Sequence, residues 1–234
     1  MTTRFALTAL LAATALVAGS AQAAAPKKPL TKPRAATPAP KPAPLPDVVR
    51  VALVTALGTI ELDLDHKHAP ITVENFVRYV DAKKFDGMPF YRAMRLDWGT
   101  QPNGLIQAGL QANPLKVFKP IAHEPTSQTG ILHKAGTISM ARYAPGTAMA
   151  DFSILLSDLP SLDADIKSAN ADTQAGFAAF GHVVSGMDVV RKIWDSPLSP
   201  TKGEGPLKGQ MLDPPVKVLT VRRVVVPTAP QPAP

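Results

Sequence analysis

No cysteine occurs in the 234 residues. That absence excludes structural disulfides, thiolate metal sites, cysteine nucleophiles and a lipidated amino-terminal cysteine. Acidic residues are missing from both ends of the chain, since all 18 lie within residues 47–226. Six of the 25 basic residues, Arg4, Lys27, Lys28, Lys32, Arg34 and Lys41, precede that stretch, leaving 19 bases against 18 acids inside it. A net charge of +7 would suit a nucleic-acid partner, but the excess sits in the leading segments and not on a folded basic face, so no nucleic acid is expected. The ligands of a metal site are also missing. His66 and His68 flank Lys67 without a third ligand nearby, and His123, His133 and His182 stand singly. All five read as surface-loop residues, with no metal expected. There is no Gly-x-Ser-x-Gly elbow and no ordered serine, acid and histidine set, which gives a hydrolase little support. Gly203-Glu204-Gly205 and Lys208-Gly209 lack phosphate-loop spacing, and Pro206 marks a surface turn there. Asp63 and Asp65 share the outward face of a strand, where solvated charge is the ordinary expectation.

Residues 1–23 have the pattern of a cleavable export signal: Arg4, an apolar run from Phe5 to Val17, then Ala21-Gln22-Ala23 as a small-x-small cleavage site. Thirteen helical residues reach only about 20 Å, short of the roughly 30 Å hydrocarbon core. No later segment is long and apolar enough to span a bilayer, so the expectation is a periplasmic protein with no stable membrane insertion after cleavage. Eight of the 25 prolines crowd into residues 24–46 and four more into 227–234. Both stretches have little to bury and read as Pro-rich segments without fixed structure, the first a Pro/Ala/Lys linker and the second a tail. Residues 47–226 are left for a single domain.

Within that domain, Val48 to Thr55 and Thr59 to Asp65 are β-branched runs, and Ile60, Leu62 and Leu64 alternate with Glu61, Asp63 and Asp65. This predicts a hairpin with one buried face. Val73, Phe76, Val77 and Val80 then repeat at helical spacing behind Pro70, up to Asp81. Strand-like runs follow at 90–94, 105–108, 136–141, 152–156 and 177–184. A second helix is predicted over 187–194, after Gly186, and a last strand over 216–226. Many short strands with two helices argue for a closed or nearly closed antiparallel barrel capped by helices.

Seven stretches, in order, resemble the cyclophilin family of peptidyl-prolyl isomerases. They are Thr55-Ala56-Leu57-Gly58-Thr59-Ile60-Glu61, Ala69-Pro70-Ile71-Thr72-Val73-Glu74-Asn75-Phe76, Phe90-Tyr91-Arg92, Leu105-Ile106-Gln107-Ala108-Gly109, Gly136 to Arg142, Asp151-Phe152-Ser153-Ile154, and Phe180 to Val190. The resemblance covers essentially 48–226. It implies a mainly β fold, an eight-stranded closed antiparallel barrel with two capping α-helices, acting without a cofactor on Xaa-Pro bonds. The implied partners are proline-containing segments of exported proteins, whose folding the chain would assist as a monomer.

By the same resemblance Arg92 is the guanidinium donor to the twisted amide, and Gln107 binds the substrate backbone and steadies the arginine. Tyr91, Leu105, Ala141, Arg142, Phe152, Ser153, Leu162 and Phe177 are implied as substrate-binding residues. The chain departs from the family pattern at several of these places. Gly104-Leu105 stands where the family has Phe-Met, Ser153 where a phenylalanine floors the pocket, Ser161 where tryptophan is frequent, and Phe177 where many members carry histidine. A lost aromatic contact costs about 1.5–3 kcal/mol, so a proline-peptide-binding module with little or no turnover is the alternative expectation. Trp98, in the extra length between Arg92 and Gln107, is expected to fold over the pocket as a lid.

Overall fold

The computed structural model describes residues 44–225. Residues 1–23, expected as an export signal, residues 227–234, expected as a tail, and all but the last three residues of the expected linker lie outside that range. Eight strands carry the body: β1 Val48–Thr55, β2 Gly58–Asp65, β3 Pro89–Arg95, β4 Gly104–Ala108, β5 Thr137–Met140, β6 Phe152–Leu155, β7 Ala178–Ser185 and β8 Met211–Arg223. They close into an antiparallel barrel in the order β1-β2-β7-β5-β6-β4-β3-β8, with β8 returning to β1. Two longer helices, α1 (Pro70–Asp81) and α4 (Met187–Asp195), pack against it, and two single-turn helices, α2 (Thr126–Thr129) and α3 (Ala171–Ala175), sit in the connections. Among the described residues no helix is long and apolar enough to cross a membrane.

Period-2 alternation builds the wall. Val49, Val51 and Leu53 of β1 face inward with Ile60, Leu62 and Leu64 of β2, and Val51 pairs with Leu62 across the hairpin. Gly58 closes that two-residue turn at φ +136°, and a Cβ there would lie 2.7 Å from Val189 of α4. The turn is held by the Thr55 hydroxyl, which donates to Gly58 O at 2.7 Å and accepts from Leu57 N at 3.1 Å. The interior is finished by five phenylalanines, Phe76, Phe85, Phe90, Phe152 and Phe180, with ring centroids 4.9–6.2 Å apart in tilted or edge contact. Leu45, which composition assigns to the spacer, is half-buried against this core.

Helix α1 buries Val73, Phe76, Val77 and Val80, the residues that its spacing selects. It has no capping side chain at its own start. Instead Glu124, 1% exposed, accepts from the backbone N–H groups of Ile71 (3.1 Å) and Thr72 (2.8 Å) and from the Thr72 hydroxyl (2.6 Å). A carboxylate from a distant loop thus does the work of an N-cap. β8 starts at Met211, five residues before the predicted Val216. Pro214 and Pro215 hide it in the sequence, because proline reads as a strand breaker; the register with β3 jumps from Phe90↔Val216 to Arg92↔Met211 and bypasses them.

Candidate active site

On β3 the inward residues are Phe90 and Ala93, both fully buried and three apart instead of two. The extra residue is a β-bulge: Phe90 pairs with Ala108, while Arg92 pairs with Gln107. A bulge re-aims the side chains that follow it. Here it turns Arg92 to the outer face of the barrel, where strict alternation would have placed it inside. On that face the pairing register makes a row across four strands. Arg92 is opposite Gln107, Gln107 opposite Ser153, and Ser153 opposite Ser139.

The Arg92 guanidinium is held from two sides. Nη1 donates to Gln107 Oε1 at 2.8 Å, and Nε donates to Gln210 Oε1, also at 2.8 Å. Gln210 is fixed in turn by donating from Nε2 to Pro206 O at 2.9 Å. The Arg92 Nη2 has no hydrogen-bond partner among the described residues. Burial lowers the pKa of the guanidinium from its ordinary value, against a smaller opposing effect of Tyr91. Gln210 cannot be picked out of the sequence: it lies 118 residues from Arg92, in the glycine-rich turn that reads as mere surface.

Two cavities meet at Arg92 and Gln107. The first, about 250 Å³, is lined by Leu105, Leu162, Phe177, Ser153, Ser139 and Ala141 among others, together with Arg92 and Gln107. Leu105 belongs to a small apolar cluster with Leu155 and Leu159, against which Leu162 packs. Its wall is therefore apolar with a polar floor of two serines. The second cavity, about 280 Å³, is lined by Tyr91, Asp151, Thr147, Met149 and again Arg92, Gln107 and Arg142. Burial raises the pKa of both Tyr91 and Asp151, and the Asp151 charge adds to the effect on Tyr91.

Of the sequence-selected residues, Arg92, Gln107, Leu105, Ala141, Arg142, Ser153, Leu162 and Phe177 come together around the first cavity, and Tyr91 lies in the second. Arg142 acts on its neighbours more than on open space. Its guanidinium donates to Gly176 O and Tyr143 O and stacks 4.7 Å over the Phe177 ring, so it fixes one apolar wall. Gly104 is compelled, since at φ +143° any Cβ would sit 1.9 Å from Met94 O.

Three expectations need correction. Phe152 does not line either cavity: it is fully buried inside the barrel against Phe76, Phe85 and Phe90. Phe152 and Ile154 take the inner face of β6, and Ser153 between them takes the outer one. Trp98 is no lid, being 62% exposed and outside both cavities. His133 is not a surface-loop residue, because its ring is wholly buried between Asp163 (Nδ1 to Oδ1, 2.7 Å) and Ser139 (Nε2 to Oγ, 2.8 Å). The same contacts assemble a serine, histidine and aspartate set that the order of the sequence conceals.

Comparison with known proteins gives a consistent likeness. Residues 50–222 match the family described as cyclophilin type peptidyl-prolyl cis-trans isomerase/CLD. The chain is 34% identical over 183 residues to a peptidyl-prolyl cis-trans isomerase of Acinetobacter baylyi, a match covering 76% of this chain and 87% of that protein. It is 35% identical over 147 residues to peptidyl-prolyl cis-trans isomerase A of Dickeya dadantii, covering 61% of this chain and 70% of that one. In fold it resembles a cyclophilin type peptidyl-prolyl cis-trans isomerase of Cryptosporidium parvum, solved also in the presence of the dipeptide Ala-Pro. The TM-score is 0.59 for each of those two structures, at 16% identity, covering 77% and 76% of this chain and 99% of the other.

Proposed function

The chain belongs to the cyclophilin-type peptidyl-prolyl cis-trans isomerases, its family match spanning residues 50–222, and from that premise we propose that Arg92 drives isomerisation of Xaa-Pro bonds whose proline enters the 250 Å³ cavity. Rotation about such a bond faces an uncatalysed barrier of about 18–20 kcal/mol, because the amide loses its conjugation at the twisted midpoint. At that point the proline nitrogen regains a lone pair. A donor aimed at the nitrogen stabilises the twisted amide more than either planar isomer, which is what lowers the barrier. No covalent intermediate is required.

The observation that supports this reading most is the clamp on Arg92. Gln107 and Gln210 hold Nη1 and Nε and leave Nη2 to donate at the cavity, so little reorganisation is needed during rotation. Leu105, Leu162 and Phe177 offer the ring an apolar wall. The clients we propose are proline-containing segments of exported proteins, met in the periplasm by a monomer that assists their folding. That part rests on the export-signal pattern of residues 1–23. Intact mass of the protein produced in a Gram-negative host tests it, a chain beginning at Ala24 being the expected product.

The test of the activity is an exchange or protease-coupled assay on a short Xaa-Pro peptide. Acceleration above the uncatalysed rate is expected. Peptide binding at the uncatalysed rate would favour the binding-module reading, for which Ser153 in place of an aromatic floor is the specific argument.

A further inference from the structure

The outer row that begins at Arg92 ends at Ser139, and behind Ser139 stands a constellation that isomerisation does not use. Ser139 comes from β5, His133 from the loop before it, and Asp163 from the residue after a short turn at Pro160–Leu162. Asp163 Oδ1 accepts from both the backbone N of His133 (3.0 Å) and its ring Nδ1 (2.7 Å). An ionised carboxylate only accepts, so Nδ1 carries the ring proton and Nε2 presents its lone pair. The Ser139 hydroxyl, 2.8 Å from Nε2, must then donate to it. The serine oxygen is left with its lone pairs free and its proton already directed at a base. Burial keeps that imidazole below its ordinary pKa, hence neutral and able to accept a proton at pH 7.

A buried histidine needs partners simply to be satisfied, and that need accounts for the Asp163 contact. It does not account for where the other end of the chain leads. Ser139 lines the 250 Å³ cavity, on the same outer row as Arg92, whose Nη2 is unengaged among the described residues. An electrophilic carbonyl entering that cavity meets a hydroxyl whose proton is already directed at a base, as nucleophilic acyl transfer requires.

We propose that Ser139, with His133 as its base and Asp163 orienting the base, is a nucleophile that gives the protein a second activity, acyl transfer from small activated esters whose acyl group fits the cavity. Ser139 Oγ bonds to the acyl carbon while its proton passes to His133 Nε2, and the carbonyl π electrons move onto the oxygen. Collapse of that oxyanion breaks the ester C–O bond, and the leaving oxygen takes the proton from Nε2. Water, deprotonated by His133 in its turn, then releases the acid and restores the serine. The inference shares its cavity with the isomerase reading, in which Ser139 is part of the floor, but Ser139, His133 and Asp163 take no part in the donation to the amide that drives rotation.

The experiment treats the full chain with a short-alkyl fluorophosphonate, in which Oγ displaces fluoride from phosphorus, and maps the adduct by peptide mass. One adduct per chain at Ser139 is the expected result, with none at that position in Ser139→Ala. The labelling rate should be at least about tenfold lower in Asp163→Asn and His133→Gln. No adduct beyond that formed on heat-unfolded protein, or an adduct on any other residue, overturns the proposal. If His133→Gln fails to fold, mapping on the unaltered chain still decides. A burst in hydrolysis of an aryl acetate, absent from Ser139→Ala that retains its melting temperature, is the second readout.

Discussion

Arg92 and Gln107 face each other as register partners across β3 and β4, with Arg92 Nη1 donating to Gln107 Oε1 at 2.8 Å. The contact exists because the bulge at Tyr91 moves the arginine off the inner face. Gln107 therefore sets where the guanidinium points, and Gln210 sets its roll.

Arg92→Ala is expected to remove most isomerase activity and weaken peptide binding only modestly. A charged hydrogen bond in a partly dry site is worth about 1.5–3 kcal/mol, or at least about tenfold in rate, and a hundredfold or more when the donor is preorganised. Arg92→Lys should fail nearly as badly, since an ammonium cannot bond Gln107, Gln210 and substrate with one planar fork. Initial rates on an Xaa-Pro peptide decide this, and equal rates for wild type and Arg92→Ala would remove the mechanism. Arg95 is the comparison. It donates to Trp194 O and Ser196 O at the end of α4 and stacks 5.1 Å over Trp194. Arg95→Ala should lower stability by about 1–2 kcal/mol and leave the catalytic rate unchanged.

The contrast between these two arginines shows what a sequence can carry. The hairpin, the two longer helices and seven of the eight strand positions follow from periodicity, because local alternation is a local property. Arg92 and Gln107 were reachable through family resemblance, since each lies within a short run with family character. What stayed hidden depends on long separations: Gln210 on Arg92 across 118 residues, Asp163 on His133 across 30, and Glu124 on the start of α1 across 52. The inward position of Phe152 follows from alternation alone. Ser153 and Phe152 are neighbours on one strand, so they cannot share a face, and placing the serine at the pocket already sends the phenylalanine inward.

Trp98→Ala should leave activity on short peptides within about twofold of wild type. The indole is largely exposed, and the hydrogen bonds at this residue are made by its backbone oxygen, which accepts from Asn103 Nδ2 at 2.6 Å and Gln101 Nε2 at 3.3 Å. Surface substitutions of this kind usually cost no more than about 0.5 kcal/mol. A rate loss of tenfold on a short peptide would restore a role for the loop in the pocket.

Ser153→Phe should raise isomerase activity if the first cavity lacks only its aromatic floor. Ser153 lies between Gln107 and Ser139 on the outer row and borders the cavity. The gain is bounded by about 1.5–3 kcal/mol of buried aromatic contact, roughly 10- to 150-fold in rate. Overpacking against Gln107 is the opposing effect. Loss of activity with an unchanged melting temperature would mean that the two serines are the working floor and the cavity is not waiting for a ring.

Stability should fall on acidification below about pH 6.5, and His133 should be responsible for a measurable part of the loss. Burial depresses the pKa of its ring, while Asp163 offsets this only in part. In the unfolded chain the imidazole titrates near its ordinary value of about 6.5. Between that value and the lower folded one the unfolded state binds more protons, so unfolding free energy rises with pH across this window and its contribution is complete above it. Asp151 acts with the opposite sign further into acid, since burial raises its folded pKa and acidification then favours the folded state. The informative quantity is therefore the difference between wild type and His133→Gln, measured by urea unfolding at pH 7.5 and at pH 5.5. Wild type should lose more stability than the variant over that interval. An equal loss in both would mean that the His133 ring takes up its proton as readily inside the barrel wall as in water, and the buried Ser139, His133 and Asp163 array would then not hold the neutral base that its hydrogen bonds require.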